Sequence, residues 1–392
     1  MPDSHRAAWV RVPRAGIQGQ AHLFQISLRS IRLAHAGLLG NPAIYGGVIG
    51  GKVLIAAVLR IICVLQSRQI RDLESRFQMI QVFLVRVIRE LVSRSAQALG
   101  KQKGIRLERR LRGLEESLFL RDADCVVVSY GKSGRTWLRV MLSRFYQVKH
   151  DLPGKALLSA GNLKRKNPSV PSVFFSHDNY LKDYTGHIDS KDDYYDKKVV
   201  LLVRDPRDVA VSQFFQWKYR MRARKKRLNQ YPPHGEDVSI YDFVMDPNAG
   251  LPKIIDFMNL WAREMPRLEQ LLVVRYEDMR ADAAAELQRI VEFIGTPGTE
   301  EEIREAVRYA SVENMKKLEQ QKTFWLSGSR MVPKDRKNPN SYKVRRAKVG
   351  GYRDYFEDEQ IAAIESLVNG TLEPVFGYTR AEQAASGQVA TA

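Results

Sequence analysis

Cysteine is nearly missing from this 392-residue sequence: only Cys63 and Cys125 occur. One pair cannot build a disulfide scaffold or supply a Cys-based zinc site, so a reducing compartment, the cytoplasm, is expected. Long hydrophobic runs are missing too. Residues 33–51 are uncharged but hold His35, Asn41-Pro42 and a run of glycines, and the better apolar stretch, 53–65, is broken by Arg60. A spanning helix needs about 20 mostly apolar residues, and a central arginine costs about 2.5–3.5 kcal/mol. No compact apolar segment follows Arg6, Arg11 and Arg14, so no secretory signal is read at the start. Internal repeats are absent. Only residues 381–392, rich in Ala, Gly, Ser and Thr, read as a disordered tail.

Acidic residues are in deficit, 44 Asp+Glu against 63 Lys+Arg, for a formal net charge of +19. The excess is uneven, because residues 1–120 hold 19 basic and 7 acidic side chains. A basic arm on a more balanced globule is therefore expected, with anionic partners favoured. No helix-turn-helix, zinc finger or aromatic-rich RNA-binding pattern is found, so nucleic acid is not among the expected partners. A hydrophobic share of 44% excludes wholesale disorder.

Residues 1–112 read as a basic, mainly helical extension. Lys52, Arg60, Arg68 and Arg71 fall on one side of a helical wheel, and 77–92 also has a helical pattern. Three readings stand: a helical extension packed on the main domain, peripheral membrane contact through residues 40–95, or, least favoured, a spanning helix. The character changes at Asp124. The β-branched run 125–130 reads as a buried parallel strand, followed by strands at 172–175, 199–203 and 271–274. Helices are expected from Trp137, over 209–219, over 251–268, and over 283–294 up to Gly295. Such alternation predicts a three-layer α/β domain on a mostly parallel sheet, placed at residues 113–380.

Three segments carry chemistry. Tyr130-Gly131-Lys132-Ser133-Gly134-Arg135-Thr136-Trp137 links a strand to a helix, so backbone N–H groups at the helix start make an anion cradle beside the Lys132 charge. A nucleotide-triphosphate loop would need glycine at 126, where valine stands. The second segment, 204–212, places Arg204 at a strand end and Ser212 about two helical turns on, suited to clamping another phosphate. Arg207 and Asp208 read simply as helix-starting residues. The third, Lys343-Val344-Arg345-Arg346-Ala347-Lys348-Val349-Gly350-Gly351-Tyr352, sets cations beside small residues, suiting a loop that folds over a phosphate.

Together these segments resemble the sulfotransferases that use 3′-phosphoadenosine 5′-phosphosulfate (PAPS), in the cytosolic-type branch common in bacteria. That family reads approximately Y-P-K-S-G-T-T-W, R-[ND]-x-x-D-x-x-x-S and R-K-G-x-x-G-D-W. Residues 274–279 and 311–316 resemble two further family blocks, and the likeness runs over about 124–378. It implies a P-loop-like sulfotransferase fold and PAPS as cosubstrate, with no metal. It implies that Lys132 stabilises charge on the leaving phosphate, that Ser133, Gly134, Arg135 and Thr136 cradle the 5′-phosphate, and that Trp137 stacks on adenine. Arg204 and Ser212 would hold the 3′-phosphate with Arg345, Arg346 and the Ala347 backbone, and Tyr276 would lie near the adenosine.

His177 matches the family's catalytic base; a neutral imidazole suits removal of a hydroxyl proton near pH 7. The sequence also departs from the pattern. Gly131 stands for the usual Pro, Arg135 for Thr, Val312 for Phe, Ala347 for Gly, and Gly351-Tyr352 for Asp-Trp. Phe175 takes the place of a lysine, which removes one supporting cation. The animal dimerisation motif is missing, so no dimer is carried over. The expected acceptor is a small molecule, a glycan or a lipid. The basic run 218–227 reads equally as a contact for an acidic acceptor or as a solvated helix face. Two alternatives remain at this point: a P-loop-like small-molecule kinase, and a non-catalytic membrane-associated nucleotide-binding protein.

Overall fold

The computed structural model describes residues 74–95, 101–324 and 331–380, all within one compact unit, residues 70–392. The amphipathic stretch around Arg60, Cys63 and the tail 381–392 lie outside the described residues, as does most of the segment considered for membrane contact. Two helices lead in, α1 (Glu74–Ser95) and α2 (Lys101–Arg121). Then come β1 (Cys125–Val128), α3 (Arg135–Lys149), β2 (Val173–Ser176), α4 (Leu181–Thr185), β3 (Lys198–Val203), α5 (Pro206–Tyr219) and α6 (Ala223–Leu228). The chain continues through α7 (Ile240–Met245), α8 (Leu251–Glu264), β4 (Gln270–Arg275), α9 (Tyr276–Ala281) and α10 (Ala283–Ile294), and closes with α11 (Glu300–Tyr309), α12 (Val312–Gln320) and α13 (Asp358–Thr371).

The four strands form one parallel sheet in the order β2-β1-β3-β4. Alternate side chains feed two cores. Val126, Val128, Val199 and Leu201 face α5, α8 and α13, whereas Cys125, Val127, Val200 and Leu202 face α3, α10 and α11. Helices thus cover both faces, as the strand–helix alternation predicts. Each crossover sends the chain back to begin a new strand at the same edge. The chain leaves β1 for β2 on one side and later returns to β3 on the other, which opens a crevice at the carboxyl ends of β1 and β3.

Element bounds differ from the sequence expectation in instructive places. The helix expected over 251–268 stops at Glu264 and tightens into a 3-10 turn over Met265–Arg267, because Pro266 lacks an N–H and crowds the preceding turn. α5 starts earlier than expected: Asp205 caps it by accepting from the Arg207 N–H, and Pro206 suits its first turn. α2 runs through the point, 112/113, at which the sequence suggested a boundary. No helix among the described residues is long and apolar enough to cross a membrane.

Candidate active site

Every strand delivers a candidate site residue just past its carboxyl end. β1 runs into the 129–134 loop, β2 into His177, β3 into Arg204 and β4 into Tyr276. These residues line one cleft of about 1110 Å³. Lys132, Gly134, Arg135, Thr136 and Trp137 line it from the first segment, with Arg204, Ser212, Arg345, Arg346 and Ala347 from the other two. Ser133 alone among the nominated residues is buried beneath the surface of the cleft.

The first loop is shaped for close approach. Gly134 adopts φ +93°, and a Cβ there would sit 2.6 Å from the Tyr276 ring, so glycine is required by backbone and by space. Lys132 holds φ +77°, a conformation uncommon for a residue with a side chain. α3 starts at Arg135 without a side-chain cap and without an acidic residue in its first turn, leaving its N–H groups and the positive end of its dipole for a ligand. Trp137 is pinned by its Nε1–H to the Ala310 carbonyl at 2.9 Å and meets Tyr276 edge-on, with ring centroids 5.8 Å apart.

Arg204 lies 4.3 Å over the Tyr276 ring and donates to the carbonyls of Lys132 (3.3 Å) and Lys348 (3.2 Å) and to Asp208 (3.2 Å). Its buried Nε has no hydrogen-bond partner. Asp208 also accepts the backbone N–H groups of Gly350 and Tyr352, each at 3.0 Å. Reading Asp208 as a helix-starting residue therefore missed its work, which is to tie the second segment to the third. For Arg207 the structural reading fits: it is buried against Asp205 at 2.8 Å. Ala347 keeps the left-handed backbone that glycine would adopt freely, at φ +53°, which costs about 1–2 kcal/mol for a residue with a Cβ. Arg345 stacks on Phe215 at 3.3 Å, while exposed Arg346 pairs with Asp354 at 2.5 Å.

The His177 ring bonds through Nδ1 to the Ser129 carbonyl at 2.9 Å. A carbonyl only accepts, so Nδ1 carries the proton and the Nε2 lone pair is left for another group. Burial, then the Arg135 charge, hold His177 well below the ordinary histidine value, which keeps it neutral near pH 7. Burial also pushes Lys132 down to about 7, helped by Arg220, Arg345 and Arg204. Lys343 is depressed as well, by burial first and then by Lys132, Arg220, Arg135 and Arg139. So many crowded cations fit a ligand bearing several negative charges, which would relieve both desolvation and mutual repulsion.

A sequence profile described as a sulfotransferase domain matches residues 122–375, more than half of the chain. The chain belongs to the sulfotransferase family. It is thereby an enzyme of the PAPS-dependent group, whose members take the sulfuryl group from that donor. The sequence is 29% identical to cytosolic sulfotransferase 17 of Arabidopsis thaliana over 63% of this chain and 74% of the relative. It is 25% identical to 3-alpha-hydroxysteroid sulfotransferase of Cavia porcellus over 68% and 89%. Among solved structures, it is similar to mouse sulfotransferase SULT7A1 complexed with PAP, at 19% identity and TM-score 0.43, covering 65% of this chain and 86% of the other. Family membership sets aside the kinase reading and the reading as a non-catalytic binder.

Two parts of this sulfotransferase's cleft escaped the sequence reading. Lys343 was seen only as part of a basic cluster, yet it shares the cleft with Lys132, Arg139 and His177. Buried Glu319 sets it there, accepting the N–H groups of Lys343 (2.7 Å) and Val344 (3.0 Å) and pairing with Arg220 at 3.2 Å. The other cation is Arg139, stacked at 3.9 Å on Phe175, the residue that replaces the family's lysine. Neither adjacency has a signal in linear spacing. Three cations of the basic run 218–227 are engaged by other residues, Arg220 by Glu319, Arg224 by Glu90 and Glu108, and Lys226 on the Trp217 ring at 4.3 Å, while Arg220 and Lys225 line the cleft. Among the described residues, no group of three or more His, Cys, Asp or Glu side chains is placed to hold a metal ion.

Proposed function

We propose that His177 is the general base, and Lys132 the cation at the leaving phosphate, of sulfuryl transfer from PAPS to a hydroxyl or amine of a small-molecule, glycan or lipid acceptor. The donor supplies an activated sulfuryl group. The acceptor oxygen forms the new S–O bond as its proton passes to His177 Nε2. The old bond to sulfur breaks, and its electron pair stays on the phosphate oxygen beside Lys132. Such a transfer needs positioning and charge stabilisation above all. The observation that carries the reading is that Nδ1 of His177 is committed to Ser129, so Nε2 is unprotonated, in the same cleft as the Lys132 ammonium.

In this reading Ser133, Gly134, Arg135 and Thr136 hold the 5′-phosphate at the uncapped start of α3. Trp137 stacks on the adenine, and Tyr276 lies near the adenosine. Arg204, Ser212, Arg345, Arg346 and the Ala347 backbone hold the 3′-phosphate. Lys343, with Arg139, supplies the positive charge that Phe175 cannot. The unpartnered Arg204 Nε supports a ligand at that corner. Residues 113–380 would be the catalytic domain, in the cytoplasm. Peripheral membrane contact is a second reading for residues 40–95, favoured by Ile80, Phe83, Leu84, Val87 and Leu91, which stand exposed along one side of α1.

The deciding experiment measures sulfate transfer and affinity for 3′-phosphoadenosine 5′-phosphate (PAP) in wild type and His177→Ala. Turnover is expected to fall by about 10²–10⁴-fold with PAP affinity unchanged. Retained turnover would remove the base assignment.

A further inference from the structure

Beyond His177 the cleft continues into a half that, apart from Tyr130, is lined by residues outside the three segments. Its walls are α2, α4 and α8, and α2 precedes the family-matched segment altogether. The seating of α2 is close. A Cβ on Gly113 would lie 2.2 Å from the Tyr180 carbonyl oxygen and 2.7 Å from Tyr184 Cβ. Arg109 reaches across to Asp183 at 2.8 and 2.9 Å and to the Asn179 carbonyl at 3.2 Å. This helix is therefore a fixed wall beside the histidine.

Two features of that half are not accounted for by folding. The first is Glu116, on α2. Its carboxyl lies against the Tyr180 backbone N–H, while Oε2 is buried with no hydrogen-bond partner. A buried polar atom left unpaired costs about 1–3 kcal/mol, so its retention points to a ligand group. Burial, then the nearby Asp178 charge, push this carboxyl up to about 8, so near pH 7 it can both donate and accept.

The second feature is a pair of lysines. Elsewhere in this half the cations are neutralised: Arg109 by Asp183, Arg112 by Glu108 at 2.8 Å, and Lys191 by Asp178 at 2.5 Å. Lys253 has no carboxylate partner: it donates to the backbone carbonyls of Asn229 (3.0 Å) and Asn248 (2.7 Å) and lies 5.2 Å over the Tyr231 ring. The Lys182 ammonium has no hydrogen bond or ion pair among the described residues. Both lysines line this half of the cleft, and Lys253 is pushed down to about 8 by burial, then by the charges of Arg109 and Lys182. Asp189 and Asp256 also line this half, so the placement of Lys182 and Lys253, rather than net charge, would define a seat for an anion. Phe257 and Tyr130, packed edge-on at 5.4 Å, add the flat apolar surface against which sugar rings pack.

We propose that this half is an acceptor subsite for an anionic, hydroxyl-rich molecule, a sugar bearing carboxylate or phosphate, with its charge at Lys182 and Lys253 and a hydroxyl on Glu116 Oε2. The proposal rests on His177 being the base, since it places the acceptor beside that residue. It also extends the functional unit back through α2.

The test is calorimetry on the full chain with PAP bound, using methyl β-D-glucuronide, glucose 6-phosphate and methyl β-D-glucoside, with a neutral steroid alcohol as the contrasting ligand. The charged sugars are expected to bind about tenfold or more tightly than the glucoside, as a charged hydrogen bond implies. A preference for only one of them identifies carboxylate or phosphate as the recognised group. Lys182→Ala should erase the preference and Lys182→Arg should restore it. Glu116→Gln should weaken all three sugars alike, with PAP affinity and thermal midpoint unchanged. The proposal is overturned if the steroid binds best, if the preference survives Lys182→Ala, or if no sugar binds while PAP does. Failure of PAP itself to bind overturns the donor reading and this one together, whereas failure of the sugars with PAP bound overturns this one alone.

Discussion

The two halves of the cleft are built by different means. The proposed donor half is built at the carboxyl ends of the parallel strands and the helix starts that follow them, where the sheet brings the 129–137 loop, Arg204 and Tyr276 together. The proposed acceptor half hangs on helices, one of them outside the family-matched segment, and its residues meet through side-chain packing across long sequence distances. A strand end fixes its next residue within the hydrogen-bonded register of the sheet. A helix wall can be replaced without disturbing that register. If the proposed assignment holds, the comparison teaches that one cosubstrate can be kept while the acceptor is varied, since the two recognition tasks would rest on separate elements.

Several measurements can break or sharpen this contrast. After loss of His177, the largest effect is expected from Arg204→Ala, which should weaken PAP about 10- to 100-fold by calorimetry, the range of charged hydrogen bonds. Unchanged affinity would detach the strand-end arginine from the donor half. Lys343→Ala should lower kcat about tenfold. Lys343→Arg should recover part of that loss, because the charge is what the site needs in place of Phe175. An equal loss in both would point to a packing role.

Proton linkage gives the next effect. Lys132 is held near 7 in the free protein and a bound phosphate favours its charged form, so PAP binding should take up a proton. Affinity should then decline as pH rises through about 7, measurable as different binding heats in two buffers of unequal ionisation enthalpy. Zero uptake would mean that Lys132 is already fully charged. The depressed His177 works on the acid side. Turnover should persist as pH falls through 6.5 and decline only below it, where the imidazole finally protonates. The smallest effect on the donor half is expected from Gly113→Ala. Overpacking α2 against Tyr180 should cost about 1–3 kcal/mol of stability and raise the acceptor KM, with PAP affinity unmoved. A fall in PAP affinity would show that the halves are mechanically coupled.

Much of the donor half was readable in the linear chain. Strand, glycine-bearing turn and helix are contiguous in 125–149, so spacing alone places Lys132 and Gly134 at a helix start. The β-branched runs located all four strands to within a residue or two at most ends, because a strand buried on both faces admits little else. Asp208 does stand in the first turn of α5 as read, but its second task was hidden, since its partners, the N–H groups of residues 350 and 352, lie more than 140 positions away. Glu116 and Lys182 gave no signal at all. A single glutamate or lysine on an amphipathic helix looks the same in sequence whether it faces water or a ligand.

By itself, the sequence determined the α/β class, the parallel sheet, the anion loop and the family, because these follow from local periodicity and short contiguous motifs. Only the tertiary structure decided that Lys343 and Arg139 gather where Phe175 leaves a cation missing, that Glu319 and Asp208 hold the third segment in place, and that α2 walls the far side of the cleft. Those facts are pairings between distant residues. Burial and charge create them only once the sheet has set the distances.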